Sequence, residues 1–154
     1  MRHCGAFNTL NHAEEEQDLA RRDQLLAELR ALARAHPADG AVREMLASGL
    51  VNTLVWSKDE QDPARRDRLL EELRALAQAH PADAAMRQQL ARGAFNMLLD
   101  AKEEHDLVRQ DGLLEELRAL AQAHPGDAAA RKILAQGLYN TLVWSWFDFG
   151  EASA

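Results

Sequence analysis

The sequence predicts an all-α protein made of antiparallel helix pairs that follow one another along the chain. Three observations carry that expectation. The stretch Leu25-Leu26-Ala27-Glu28-Leu29-Arg30-Ala31-Leu32-Ala33-Arg34-Ala35-His36-Pro37 returns at Leu69 to Pro81 and at Leu113 to Pro125, at a constant spacing of 44 residues. A fixed period of that size marks stacked supersecondary units. The composition leans on Ala, Leu, Arg, Glu and Gln and is poor in β-branched residues, which favours helix. Each copy ends in His-Pro-x-Asp, a link so short that the two helices it joins must run antiparallel.

The first segment, Met1 to about Ala13, reads as the back half of a repeat. Gly5, Asn8, Thr9 and Leu10 fall one period before Gly49, Asn52, Thr53 and Leu54, and the phase recurs at Gly93, Asn96 and Leu98, then at Gly137, Asn140, Thr141 and Leu142. This short helix is expected to act as a cap. The acidic connector Glu14-Glu15-Glu16-Gln17-Asp18 follows, and Asp18 is expected to cap a helix from about Leu19 to Ala35. On a helical wheel Leu25, Leu29, Leu32, Ala33 and His36 share one side, with Leu26 at its edge. Pro37 ends that helix. Asp39 caps the next, from Gly40 to about Lys58, and Pro63 sits at a first helical position behind its cap Asp62. The expected organisation is one domain of seven helices, with a half-unit and connector at 1–20 and repeats at 21–64, 65–108 and 109–154.

A chain of 154 residues is long enough to bury roughly 70% of the surface it exposes when unfolded. The formal charge of −7 argues against a binder of phosphate backbones and suits a basic partner segment better. Cys4 is the sole cysteine, so no intramolecular disulfide forms. Nowhere do eighteen uncharged apolar residues stand together, and no sustained apolar run follows Met1. A soluble, cytoplasmic protein without membrane attachment is expected.

The spacing around each proline resembles tetratricopeptide repeats. Ten residues beyond Pro37 stands Ala47, preceded by Leu46 and followed by Leu50, the pattern of that family's first helix; Leu90-Ala91 with Ala94 and Leu134-Ala135 with Leu138 repeat it. Leu25, Leu29 and Leu32 take the places where the family packs its second helix. The period is longer than the family's 34 or so residues, and Arg43, Arg87 and Arg131 stand where its first-helix aromatic belongs. The resemblance implies a right-handed α-solenoid whose concave face, lined by the helices carrying Gly and Asn, receives a peptide or protein.

Asparagine is a poor helix-interior residue, so the recurring Asn8, Asn52, Asn96 and Asn140 need compensation. They either form a ladder of amides that grips an extended peptide, or bond a neighbouring backbone where Gly49 and its equivalents admit a close helix. The expected partner-binding set is Asn52, Asn96 and Asn140 with Glu44, Ser48, Val51, Phe95, Tyr139, Trp56 and Trp144. Arg43, Arg87 and Arg131 lie on the apolar side and are expected to pair with Glu28, Glu72 and Glu116 or with Asp23, Asp67 and Asp111. His36, His80 and His124 are expected to serve helix C-termini, and His3, Cys4 and His12 show no metal spacing.

At the far end, Leu142-Val143-Trp144-Ser145-Trp146-Phe147-Asp148-Phe149 breaks the repeat. These aromatics fold back as a cap or, as Trp146, Phe147 and Phe149 together with Phe7 and Leu10, form a self-association surface that makes a homodimer. No nucleophile elbow, phosphate-binding glycine loop or His-Glu-x-x-His helix is present. The expectation is a non-catalytic interaction scaffold with no cofactor, metal or nucleic-acid partner. An assembly chaperone is the related reading, and a hydrolytic or metal-dependent enzyme is the competitor.

Overall fold

The computed structural model describes residues 4–60 and 62–153, with side chains described for 17–58 and 62–143. Among the described residues the protein is all-α: α1 (Cys4–Ala35), α2 (Gly40–Trp56), α3 (Pro63–Ala79), α4 (Ala84–Glu103), α5 (Leu107–Ala123) and α6 (Ala128–Ser153), with a 3-10 turn at Ser57–Glu60 closing α2. The backbone divides into two compact units, Met1–Gly49 and Leu50–Ala154, with the boundary inside α2. No described helix is long and apolar enough to cross a membrane.

Six helices stand where the sequence reading expects seven, because the N-terminal half-unit and the helix after it are one continuous α1 of 32 residues. Asp18 therefore lies inside a helix and caps nothing. The reason is in the connector: Glu14, Glu15, Glu16 and Gln17 are good helix formers, and no proline or glycine interrupts them. The other connectors do break. Before α3, Asp62 accepts from the Arg65 amide at 3.1 Å with Pro63 behind it. After α4, His105 adopts φ 55°, and the amides of Asp106 and His105 bond the carbonyls of Ala101 and Lys102 at 2.9 and 3.1 Å. That double closure is a Schellman motif, with a histidine in the left-handed place glycine usually takes.

The His-Pro-x-Asp turns form as expected. Asp39, Asp83 and Asp127 each accept amide bonds from the first turn of the helix that follows, the first of them from Ala41 at 3.0 Å. The histidines contribute through their backbones: the His36 and His80 amides close the ends of α1 and α3 on Leu32 and Leu76.

In the first unit Leu26, Leu46 and Ala47 are buried, and Leu26 and Leu29 reach Gly49 across the α1–α2 hairpin. In the second unit α4 touches α3, α5 and α6, and the core comprises Leu50, Leu54, Leu69, Leu70, Leu73, Met86, Leu90, Leu98, Leu113 and Leu117 among others. Glycine sets the closest approach. A methyl group added to Gly93 would lie 2.9 Å from Leu73 Cδ1 and 3.3 Å from Leu70 Cδ1, so α3 sits against α4 where no side chain intervenes.

One buried ion pair was not foreseen. Arg66 on α3 and Asp100 on α4 are both buried and joined as a salt bridge, and Arg66 Nε also donates to the Leu54 carbonyl at 3.2 Å. Asp100 takes the register position that holds Trp56 and Trp144 in the other copies, and that single departure from the repeat was the available signal.

Candidate functional site

The second unit carries an open groove of about 340 Å³ between the C-terminal ends of α3 and α5 and the first turns of α4. Its apolar floor is Ala77, Leu90, Ala119, Leu120 and Ala123; Arg74, Glu116, Arg87 and His124 stand around it. The small residues come from the Ala-rich ends of the repeated stretch, where a row of methyl groups leaves a hollow that leucines would fill.

Its charges are spoken for. Arg74 Nε and Nη2 donate to the two carboxylate oxygens of Glu116 at 2.6 and 3.1 Å, a bidentate fork between α3 and α5, while Nη1 reaches Glu71 at 2.8 Å. The Glu116 hydrogen bonds raise the Arg74 pKa above its ordinary value, against the opposing effect of burial and with further help from Glu71. At the other side Arg87 Nε lies 3.5 Å from Asp127 Oδ2, and Gln88 donates to Asp127 Oδ1 at 3.3 Å. Burial works to raise the Asp127 pKa, but the Ala130 amide, Gln88 and Arg87 together hold it below the ordinary value of 3.8.

Arg43, Arg87 and Arg131 share a bond that the sequence reading did not foresee. Each donates from Nη1 to the carbonyl of the proline six residues before it: Pro37 at 3.2 Å, Pro81 at 2.8 Å, and Pro125. Standing in the first turn of its helix, the arginine points back over the link, where a carbonyl outside any helix needs a donor. Two carboxylates of the Glu28 and Asp23 series meet arginines of the neighbouring copy. Glu116 meets Arg74, and Asp67 meets Arg109 at 2.5 Å, so α3 and α5 are tied twice across successive copies.

The expected partner-binding residues fall into several places. Asn52 and Glu44 are exposed, and Trp56 and Tyr139 are 52% and 65% exposed. Ser48, Phe95, Asn96 and Asn140 are half-buried, and Val51 is buried at 6%. The Asn96 amide donates to the Arg92 carbonyl of its own helix at 2.9 Å, and the Asn140 carbonyl accepts Lys102 Nζ from α4 at 2.6 Å. None of these residues lines the groove. The side chains of Trp144, Trp146, Phe147 and Phe149, and of Phe7, Leu10, His3, Cys4 and His12, lie outside the described residues.

Arg87, Leu90, Glu116 and His124 were singled out one by one, but the groove they line was not foreseen. The usable signal was a spacing: Arg74 and Glu116, like Asp67 and Arg109, are 42 residues apart, two short of the period. Among the described residues no group of three or more His, Cys, Asp or Glu side chains is placed to hold a metal ion. No protein-family model, no curated protein and no solved structure matches this chain.

Proposed function

We infer that the protein is a non-catalytic interaction module, a tetratricopeptide-like array that holds a peptide or protein segment and works as a soluble cytoplasmic scaffold. The observation that carries this reading is the groove between α3, α4 and α5: an open hollow with an alanine and leucine floor, rimmed by ion pairs that neutralise one another. A floor of that kind takes apolar side chains from an extended segment, and a rim of paired charges supplies orientation. A rigid wall loses little freedom on binding, which favours a receptor for short segments. The right-handed solenoid rests on the tetratricopeptide resemblance and on the constant period.

A second reading keeps the asparagine row as the docking surface, and the exposure of Trp56 beside Asn52 and of Tyr139 beside Asn140 favours it. An assembly chaperone would use either surface.

Selection of binders from a random peptide display library, followed by calorimetry, tests both. Ala119 and Ala123 are exposed on the groove floor, so Ala119→Arg and Ala123→Arg fill it without disturbing the core. Selected peptides should lose at least about tenfold in affinity, equal to about 1.4 kcal/mol. Peptides indifferent to both fillings but lost with Asn52→Ala and Trp56→Ala would move the site to the asparagine row. Enrichment of no sequence would sink the interaction reading.

A further inference from the structure

One face of α6 is bare where its counterparts are covered. Ala135, Leu138 and Leu142, spaced for one side of a helix, are the register equivalents of Ala91, Ala94 and Leu98 on α4 and of Ala47, Leu50 and Leu54 on α2. All six counterparts are 0% exposed, whereas Ala135 is exposed and Leu138 and Leu142 are 39% and 63% exposed. Within the second unit the covering is visible. Leu54 Cδ1 lies 4.0 Å from a methyl group placed on Gly93, and Leu98 Cδ2 lies 3.2 Å from one placed on Gly137, so each helix offers a leucine to the glycine of the helix one copy later. Leu142 is the equivalent leucine on α6.

The complementary vacancy is on α1 and α2. Leu25 is 48% exposed, but its equivalents Leu69 and Leu113 are 3% and 5% exposed, and Leu32 is 47% exposed. Gly49 meets Leu26 and Leu29 of its own hairpin, where Gly93 and Gly137 also meet a leucine from the helix one copy earlier. The half-unit expected to supply one is fused into α1. At about 1.5 Å per residue, the helix carries the Leu10 backbone roughly 24 Å along its axis from Leu26.

We propose that this face of α6 docks the α1–α2 hairpin of a second copy of the chain, so that the repeat continues from one molecule into the next. Leu142 then meets Gly49 of the second copy, as Leu54 meets Gly93 and Leu98 meets Gly137. At three of the contacts between copies the translated charges are opposite in sign, while the Lys58–Glu103 pair has no charged equivalent because Trp146 stands at its lysine position. The Arg74–Glu116 pair translates by one period to Arg118 with Glu28 of the second copy, and the Asp67–Arg109 pair to Asp111 with Arg21. The contact of Arg87 and Gln88 with Asp127 becomes one of Arg131 and Lys132 with Asp39. Glu28, Arg21, Asp111, Lys132 and Asp39 are all exposed. Such an interface joins two different faces, so it grows head to tail into a ring or an open chain. It uses surfaces separate from the groove, so its failure leaves the groove reading standing.

Sedimentation velocity tests the proposal. The unmodified chain should grow in mass with concentration, while Leu25→Glu and Leu142→Glu, both at exposed positions, should each remain monomeric with unchanged helical circular dichroism. Mixing the two should give a heterodimer and nothing larger, because one free α6 face meets one free α1 face. Adding Arg118→Glu to the Leu25→Glu chain should weaken that heterodimer by about tenfold or more, and Glu28→Arg in its partner should restore it. A wild-type chain that stays monomeric up to its solubility limit overturns the proposal, as does self-association that survives Leu25→Glu alone.

Discussion

Replacing Gly93 with alanine sets two opposed effects against each other, and the structure says which is larger. In an exposed helix interior the change stabilises by about 1 kcal/mol, because glycine loses more backbone freedom on folding. Gly112 on α5 is such a site, with no atom within 4 Å of an added methyl group, so Gly112→Ala should deliver that gain. At Gly93 the methyl carbon would stand 2.9 Å from Leu73 Cδ1 and 3.3 Å from Leu70 Cδ1, inside normal contact, and both leucines are held in a packed core. Forcing a methyl group into a filled core costs about 2 kcal/mol. The net change for Gly93→Ala is then a loss of about 1 kcal/mol, a difference of about 2 kcal/mol between two chemically identical substitutions. Urea unfolding followed by far-UV circular dichroism reads both. The thermal midpoints should move in opposite directions, by about 3 °C each for a chain of this size. Leu73→Ala should cost about 3 kcal/mol alone and less on the Gly93→Ala background, where the new methyl group occupies part of the cavity. Gly93→Ala as stabilising as Gly112→Ala would refute the close packing of α3 on α4.

Other perturbations have equally definite outcomes. Asp100→Ala strands Arg66 in the core and should cost about 3 kcal/mol by urea unfolding, whereas Arg66→Leu with Asp100→Leu should recover most of that loss. Asp127 has a lowered folded pKa, so its stabilising effect is complete above the ordinary 3.8 and is lost as pH falls through the lower folded value. The wild-type chain should therefore lose more stability than Asp127→Asn between about pH 5 and about pH 2. His105→Gly relieves a left-handed residue at the end of α4 and should stabilise by about 0.5 kcal/mol in thermal melts.

What the sequence disclosed was what local chemistry decides. The Asp39, Asp83 and Asp127 caps, the Pro63 helix start and the hairpin turns depend on neighbours a few residues away, and each formed as read. The connector at 14–18 misled because its acidic run looks like a linker while its residues extend a helix. The proline-carbonyl bonds of the arginines at 43, 87 and 131 were hidden for a different reason. A helical wheel assigns a face but not a direction along the axis, and these side chains reach back toward the proline carbonyl. The groove was hidden in distances between copies: Arg74 and Glu116 become partners only once α3 and α5 lie side by side. The amide of the asparagine at position 96 bonds the carbonyl of Arg92 in its own helix, a partner the sequence reading did not consider.

The arginine that grips each proline carbonyl has a further consequence. Both partners belong to the same hairpin and sit six residues apart, so the bend is fastened by material carried within the copy. A gene segment spanning one period therefore brings its own corner with it when duplicated. Lengthening such a protein asks nothing new of the bend, and each added copy needs only to match its neighbour's leucines and charges.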